Sequence, residues 1–311
     1  MRYTNWMKNI SNDKLLINLN IPGTHDSATY TTINLPYVTT QSKSITAQLH
    51  EGIRFFDFRL NKVTKTTDDT FTGYALMHGI IPLGLDLYTG ALEPILEFLN
   101  ENPDEMIFVS IKSENSLIDI NDKDVLQILG LGIWINNQNS ALNTLTLGEC
   151  RSKIIFLNRI NDIGFSWKDF NIQDEYELPV NYYEQVITPE IQERTQRVCI
   201  PFVGCEEVVL IPYAAETTQR LPHSLNYEWK TNKIDDFRNR LNKDTLNINF
   251  LSAVNGGTTI EKVSFGSGIK ENSKIQNNFL EKIVNLNQGC IFPMDFPDEE
   301  IISKIIDSNN S

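Results

Sequence analysis

The stretch Ile-Arg-Phe-Phe-Asp-Phe-Arg-Leu (53–60) alternates apolar and charged positions. Side chains two apart along a strand share a face, so Asp57 and Arg59 project together. Working outward, seven more short apolar runs bounded by Gly, Pro, Asn or Asp read as strands: 17–25, 74–78, 106–112, 153–159, 170–175, 246–252 and 289–295. Helical pattern is clearest at 91–101, closed by Asn102-Pro103, and at 121–130 and 272–286. Apolar strands separated by helices point to an α/β fold with a parallel sheet covered on both faces. Eight of them suggest a single irregular (β/α)8 TIM-type barrel with its active site at the C-terminal ends of the strands. The irregularity lies at 61–73, too short for a full helix, and at 176–245, long with only scattered helical pattern. No repeat, low-complexity tract or Pro/Gly/Ser-rich linker breaks the chain, so 1–311 reads as one catalytic barrel domain.

Composition narrows the function. The chain has 311 residues, 41% of them hydrophobic, enough for a large core. A formal charge of −13 and a pI near 4.8 argue against nucleic acid as a partner, and no Lys/Arg-rich run suggests a polybasic membrane tether. Attraction for an anionic substrate must therefore be local. No apolar run approaches the ~20 residues that span a bilayer, and Met-Arg-Tyr-Thr-Asn-Trp-Met-Lys lacks the apolar centre of a secretory signal. The expected location is nonetheless extracellular, as a secreted form without its leader, with the cytoplasm left open. Of four cysteines, Cys199 and Cys205 bracket Ile-Pro-Phe-Val-Gly and could close a small disulfide loop, while Cys150 and Cys290 read as buried thiols. No spacing resembles a zinc site.

The histidines carry the chemistry. His25 ends Leu-Asn-Ile-Pro-Gly-Thr-His (19–25) and His78 ends Tyr-Ala-Leu-Met-His (74–78), each at the carboxyl end of a candidate strand, before an acidic or a small residue. A lone histidine in an apolar stretch is more often a packed core residue; the shared setting shifts the balance. His50 ends a helical pattern before a Gly52 cap and reads as a surface residue, and His223 lacks the setting. Two imidazoles, a carboxylate and a guanidinium at one end of a sheet suit phosphoryl transfer by a general base and a general acid, with arginine holding the phosphate charge. Lys112, Glu114, Arg159, Asp174, Tyr176, Ser252 and Asp295 fall at the same ends of other strands.

The segments Ile-Pro-Gly-Thr-His-Asp-Ser (21–27), Phe-Phe-Asp-Phe-Arg (55–59), Met-His-Gly (77–79), Val-Ser-Ile-Lys (109–112), Gln-Asp-Glu-Tyr (173–176) and Met-Asp-Phe (294–296) resemble the bacterial phosphatidylinositol-specific phospholipase C family. The likeness runs nearly end to end and is strongest over 15–114, which resembles the family's X region. The resemblance implies cleavage of phosphatidylinositol to diacylglycerol and inositol 1,2-cyclic phosphate. His25 would be the base, oriented by Asp295; His78 the acid, aided by Asp26; Arg59 the phosphate ligand. Lys112, Arg159, Asp174 and Tyr176 would line the inositol pocket, with Asp57 supporting Arg59. The partner implied is phosphatidylinositol in a membrane surface, met by a monomer through apolar rim residues: Ile33, Leu35, Pro36 and Tyr37, and Val263 and Phe265.

No cofactor is expected. Calcium-dependent relatives of this fold carry Glu-x-Asp where this chain has Asp57-x-Arg59, and Lys112 replaces another acid, so fixed positive charge stands where a metal would. A glycerophosphodiesterase-like or sphingomyelinase-D-like enzyme is the rival, but it would need a carboxylate cluster for Mg²⁺ near the first histidine, which Arg59 spoils. An inactive inositide-binding module would show a lost catalytic residue, and His25, Asp26, Arg59, His78 and Asp295 are all present.

Overall fold

The computed structural model describes residues 3–32, 38–64, 71–114, 134–135, 141–159, 164–187, 194–200, 204–210, 217–225, 227–253 and 288–310. The expected helices 121–130 and 272–286 and the expected rim residues Ile33, Leu35, Pro36, Tyr37, Val263 and Phe265 lie outside the described residues. The chain divides into two compact units, one made of Met1–Leu178 with Tyr227–Ser311, the other of Pro179–Asn226.

The larger unit is a curled, mainly parallel sheet with helices. Its strands are β1 (Ile21–Thr24), β2 (Phe55–Thr64), β3 (Phe71–His78), β4 (Ile81–Asp86), β5 (Ile107–Ser113), β6 (Trp134–Ile135), β7 (Ile154–Asn158), β8 (Phe165–Ser166) and β9 (Asn171–Gln173). After the smaller unit come β14 (Asn247–Asn249) and β15 (Ile291–Met294). The order is β6-β7-β5-β2-β1-β15-β14-β9, every neighbour parallel, with β8 paired to the end of β7. The first and last strands are neighbours: Ile21 pairs with Ile291 and Thr24 with Met294, which brings residues 270 apart to one spot. Among the described residues the path ends at β9 on one side and at β6 and β8 on the other.

All eight expected strands are present, but 74–78 is not one of the parallel staves. It forms β3, antiparallel to β2 with Leu60 opposite Leu76, and continues into antiparallel β4. The cause is connection length: a parallel return needs a crossover of a dozen or more residues, usually a helix, whereas the short polar link after β2 permits only a hairpin. Among the described residues the eighth place on the main parallel path is instead taken by the two-residue β6, with the two-residue β8 also parallel to β7.

The core explains the register. Phe55, Phe56, Phe58, Phe108, Val109, Ile155, Phe156, Ile248, Ile291 and Phe292 are all buried, as near-continuous apolar parallel strands should be. Gly23 lets β1 approach β2, since a Cβ there would lie 2.7 Å from the Phe55 ring. The helix Ile45–Glu51 is capped by Ser44, whose hydroxyl accepts from the Ala47 amide, and by Gly52 at φ 110. His50 on that helix is half-buried rather than fully exposed, its ring edge-on to Phe98 at 5.7 Å. Cys150 and Cys290 are buried free thiols, as expected.

The smaller unit holds β10 (Val180–Ile187), β11 (Arg194–Ile200), β12 (Gly204–Leu210) and β13 (Thr217–Leu225), paired antiparallel as β10 with β13 and β11 with β12. Cys199 and Cys205 are directly opposite in the β11–β12 register.

Candidate active site

Two strands deliver the central groups through sharp turns. After β1 the chain passes through His25 and then Asp26, whose φ of 43° lies in the left-handed region that Asp tolerates better than most residues. The turn is braced on all sides. The Thr29 amide donates to the Asp26 carbonyl at 3.1 Å, the Ser27 hydroxyl donates to the Thr24 carbonyl at 3.0 Å, and the Asp57 amide donates to the Ser27 hydroxyl at 2.8 Å. Thr40 Oγ1 and Gln41 Nε2 both donate to the His25 carbonyl, at 3.0 and 2.7 Å. On the neighbouring β15, Asp295 is followed by Phe296 at φ 46, whose amide donates to the Thr40 carbonyl.

These turns set a tight cluster. His25 Nδ1 lies 2.8 Å from Asp295 Oδ1, and His25 Nε2 lies 2.9 Å from Arg59 Nη2. A guanidinium only donates, so Nε2 presents its lone pair and the ring proton sits on Nδ1, facing Asp295. That is the tautomer a base needs. Asp26 Oδ2 stands between the two imidazoles, 3.3 Å from His25 Nε2 and 3.1 Å from His78 Nε2, while its Oδ1 contacts Arg59 Nε. Arg59 Nη1 donates to Glu114 Oε1 at 2.9 Å, and Asp57 Oδ2 is 4.0 Å from Arg59 Nε. His78 reaches Asp26 from the hairpin strand folded back over β2, not from a parallel stave.

The charges sustain one another. Burial opposes ionisation of Asp26, but His25 and Arg59 outweigh it and hold the carboxyl well below the usual carboxylate range. Burial likewise lowers the His25 pKa, and the nearby Asp26 and Asp295 charges more than reverse this, lifting it above its ordinary value. Arg59 is partly desolvated, yet Asp26, Asp57 and Glu114 together make its proton still harder to remove.

The expected pocket residues surround the cluster. Arg159 spans Asp57 and Asp174, with Nη1 3.7 Å from Asp57 Oδ1 and Nη2 3.7 Å from Asp174 Oδ2, and its guanidinium lies 4.4 Å over the Trp167 ring. Lys112 pairs in register with Arg59 and holds its Nζ 3.9 Å from Glu114. Asp174 and Tyr176 stand on the loop after β9 with exposed side chains. Asp57 is fully buried and, among the described residues, neither carboxylate oxygen has a hydrogen-bond partner in good geometry, while both face arginines.

His25, Asp26 and Asp57 each offer a ligand atom within 4.8 Å of one another, the one such metal-like group among the described residues. The Arg59 guanidinium lies against both carboxylates, so a cation entering there would meet a fixed positive charge.

Some of the site was not expected from sequence. Phe250 lies edge-on to His25 at 5.9 Å and to Trp167 at 6.3 Å, forming an apolar wall beside the imidazole. Lys230, on the helix Tyr227–Arg238, is fully buried and donates to Gln173 Oε1 at 3.3 Å and to the Glu175 carbonyl at 2.5 Å. Burial pushes its ammonium down to about 7, against the opposing pull of Asp295, Asp174 and Glu175. Gln173 in turn donates to Asn249 Oδ1 and the Phe250 carbonyl, linking the lysine to the wall beside His25.

No family model matches the chain. Among curated proteins, the 1-phosphatidylinositol phosphodiesterase of Listeria monocytogenes is 32% identical over 162 residues, covering 49% of this chain and about half (48%) of that relative. The protein of the same name from Staphylococcus aureus strain Newman is 24% identical over 348 residues, covering 98% of this chain and 94% of its own length. Among solved structures, phosphatidylinositol-specific phospholipase C from Listeria monocytogenes superposes with a TM-score of 0.65 at 22% identity over 98% of both chains. A Staphylococcus aureus phosphatidylinositol-specific phospholipase C, studied for modulation of membrane binding, gives 0.67 at 21% identity over 98% of this chain and 97% of its own. The chain has the barrel fold of the bacterial phosphatidylinositol-specific phospholipases C and is related to them in sequence along nearly its whole length.

Proposed function

We propose that this chain is a phosphatidylinositol-specific phospholipase C that needs no metal. The observation that carries the reading is Asp26, shared within 3.3 Å by two imidazoles and touched by Arg59. In the reaction, the inositol 2-hydroxyl oxygen attacks phosphorus as its proton passes to His25 Nε2, which gives up its contact with Arg59 Nη2 to accept it. The resulting imidazolium rests on Asp295. Arg59, held by Asp26 and Glu114, receives the phosphate oxygens and stabilises their growing charge. The bond from phosphorus to the diacylglycerol oxygen breaks as His78, backed by Asp26, gives that oxygen a proton. Inositol 1,2-cyclic phosphate and diacylglycerol are the products.

Ring hydroxyls suit the charged frame of Arg159, Asp174 and Lys112, and the exposed Tyr176 can lie on the apolar face of the ring. Metal independence follows from the guanidinium placed against the two buried carboxylates. The test is turnover of phosphatidylinositol vesicles in excess EDTA, with ³¹P NMR of the product. Retained activity and a cyclic phosphate signal support the reading; a calcium or magnesium requirement, or direct formation of an acyclic phosphate, overturns it. The roles of the histidines separate on a leaving group that departs unprotonated. His78→Ala should recover on a nitrophenyl phosphodiester, and His25→Ala should stay inactive on both substrates.

A further inference from the structure

The hairpin that carries His78 continues as Gly79-Ile80-Ile81-Pro82-Leu83-Gly84-Leu85, seven residues without a charge. Its tip is built outward. Gly79 and Gly84 take left-handed φ values of 56° and 72°, while Ile81 and Leu85 pack against the core and Leu83 is buried. Ile80 is left 90% exposed, the most exposed large apolar side chain among the described residues. It stands two positions from His78, whose imidazole is 3.1 Å from Asp26.

We propose that this tip, with Ile80 foremost, is a lipid-docking element that seats the leaving-group side of the site on a bilayer. The inference rests on the reaction proposed above. The acid must sit beside the oxygen that leaves, and that oxygen belongs to diacylglycerol, whose chains remain in the membrane. The strand bearing the acid therefore has to face the lipid, and its exposed end is apolar. A net charge of −13 gives no general attraction to an anionic surface, so local apolar contact must draw the chain there. Transferring one isoleucine out of water is worth about a tenfold change in partitioning or more.

The experiment compares the parent, Ile80→Asp and Ile80→Leu. Binding is read by co-sedimentation with phosphatidylcholine vesicles, turnover on phosphatidylinositol dispersed in phosphatidylcholine, and chemistry on a water-soluble inositol nitrophenyl phosphodiester. Ile80→Asp should lose about tenfold or more in vesicle binding and vesicle turnover while keeping the parent's rate on the soluble substrate, and Ile80→Leu should match the parent. Unchanged vesicle binding by Ile80→Asp overturns the proposal. Equal losses on both substrates also overturn it, because Ile80 would then shape the site rather than dock it. If the parent turns over neither substrate, the proposed reaction is what fails, and the binding comparison still decides the docking element.

Discussion

Arg54 and Arg59 stand at opposite ends of the same stretch of sheet, five residues apart, and are treated in opposite ways. Arg54 is sealed: Nε donates to Glu105 Oε2 at 2.7 Å, Nη1 to the Leu49 and Ile53 carbonyls, Nη2 to the Thr4 carbonyl, and both partners of the ion pair are fully buried. Glu105 also accepts the Met7 amide, so every nitrogen and oxygen of the pair carries a hydrogen bond. Arg59 keeps 18% of its side chain open to solvent, and its Nε meets Asp26 without hydrogen-bond geometry. Around it, among the described residues, Asp26 and Asp57 lack well-formed hydrogen bonds as well. A buried charge closed in on every nitrogen has no capacity left for a ligand; Arg59, bonded through Nη1 to Glu114 and Nη2 to His25 but meeting Asp26 only as a charge and partly open to solvent, does. The difference marks Arg54 as a joint of the fold and suits Arg59 to the phosphate-binding role proposed for it.

The largest expected effect breaks the comparison on the structural side. Arg54→Ala or Glu105→Ala leaves an uncompensated buried charge and should cost ~3–5 kcal/mol of stability, read by urea denaturation, while the molecules that remain folded keep their turnover. A loss of turnover in well-folded Glu105→Gln protein would show that the two arginines are not divided in this way.

On the functional side, Arg59→Ala should lower turnover by about 10²–10³, the effect of removing a preorganised donor to a phosphoryl transition state. Its stability should fall less than that of the Arg54 variant, because Asp26 keeps His25 and His78 as partners. Near-parental turnover would remove Arg59 from the chemistry.

How far sequence alone reaches depends on whether the signal is local. Ile53–Leu60 announces itself because alternation and charge occur together in one run, and Phe55 to Phe58 prove buried with Asp57 and Arg59 turned into the site. The direction of 74–78 is not local; it follows from the length of the connection before it and from a hairpin register that periodicity does not carry. Lys230 shows a different limit. Within Tyr-Glu-Trp-Lys-Thr-Asn-Lys (227–233) nothing separates it from Lys233, yet Lys233 ends on the Glu175 carboxylate at 2.8 Å with part of its side chain in solvent, while Lys230 is enclosed. Burial of a lysine depends on what packs over the helix. In β10–β13, polar residues fall on both parities of runs such as Arg-Thr-Gln-Arg (194–197), so no period-two pattern announces the strands.

The smallest effect tests the link between β1 and β15. Asp295 is the partner through which the His25 tautomer is set, and its charge is one of two that lift the His25 pKa above its ordinary value against burial. In Asp295→Asn the carboxylate charge is gone while shape and a hydrogen-bond acceptor remain, so the fold and substrate affinity should persist. The imidazolium loses one stabilising neighbour, and the His25 pKa should drop toward or below 6.5. Because the base must be unprotonated to act, the acid limb of the kcat/KM profile should move to lower pH even as kcat at its plateau falls. Stability shifts with the same sign. A histidine with a raised folded pKa stabilises most below its unfolded value and loses that contribution as pH rises through the folded one, so the parent should lose part of its advantage over the variant as pH rises from the ordinary histidine value through the raised one, ~1.4 kcal/mol per unit of difference in pKa. An NMR titration of His25 measures the shift directly. A pKa that stays put or rises in Asp295→Asn would uncouple the two strands chemically, leaving their adjacency a matter of packing alone.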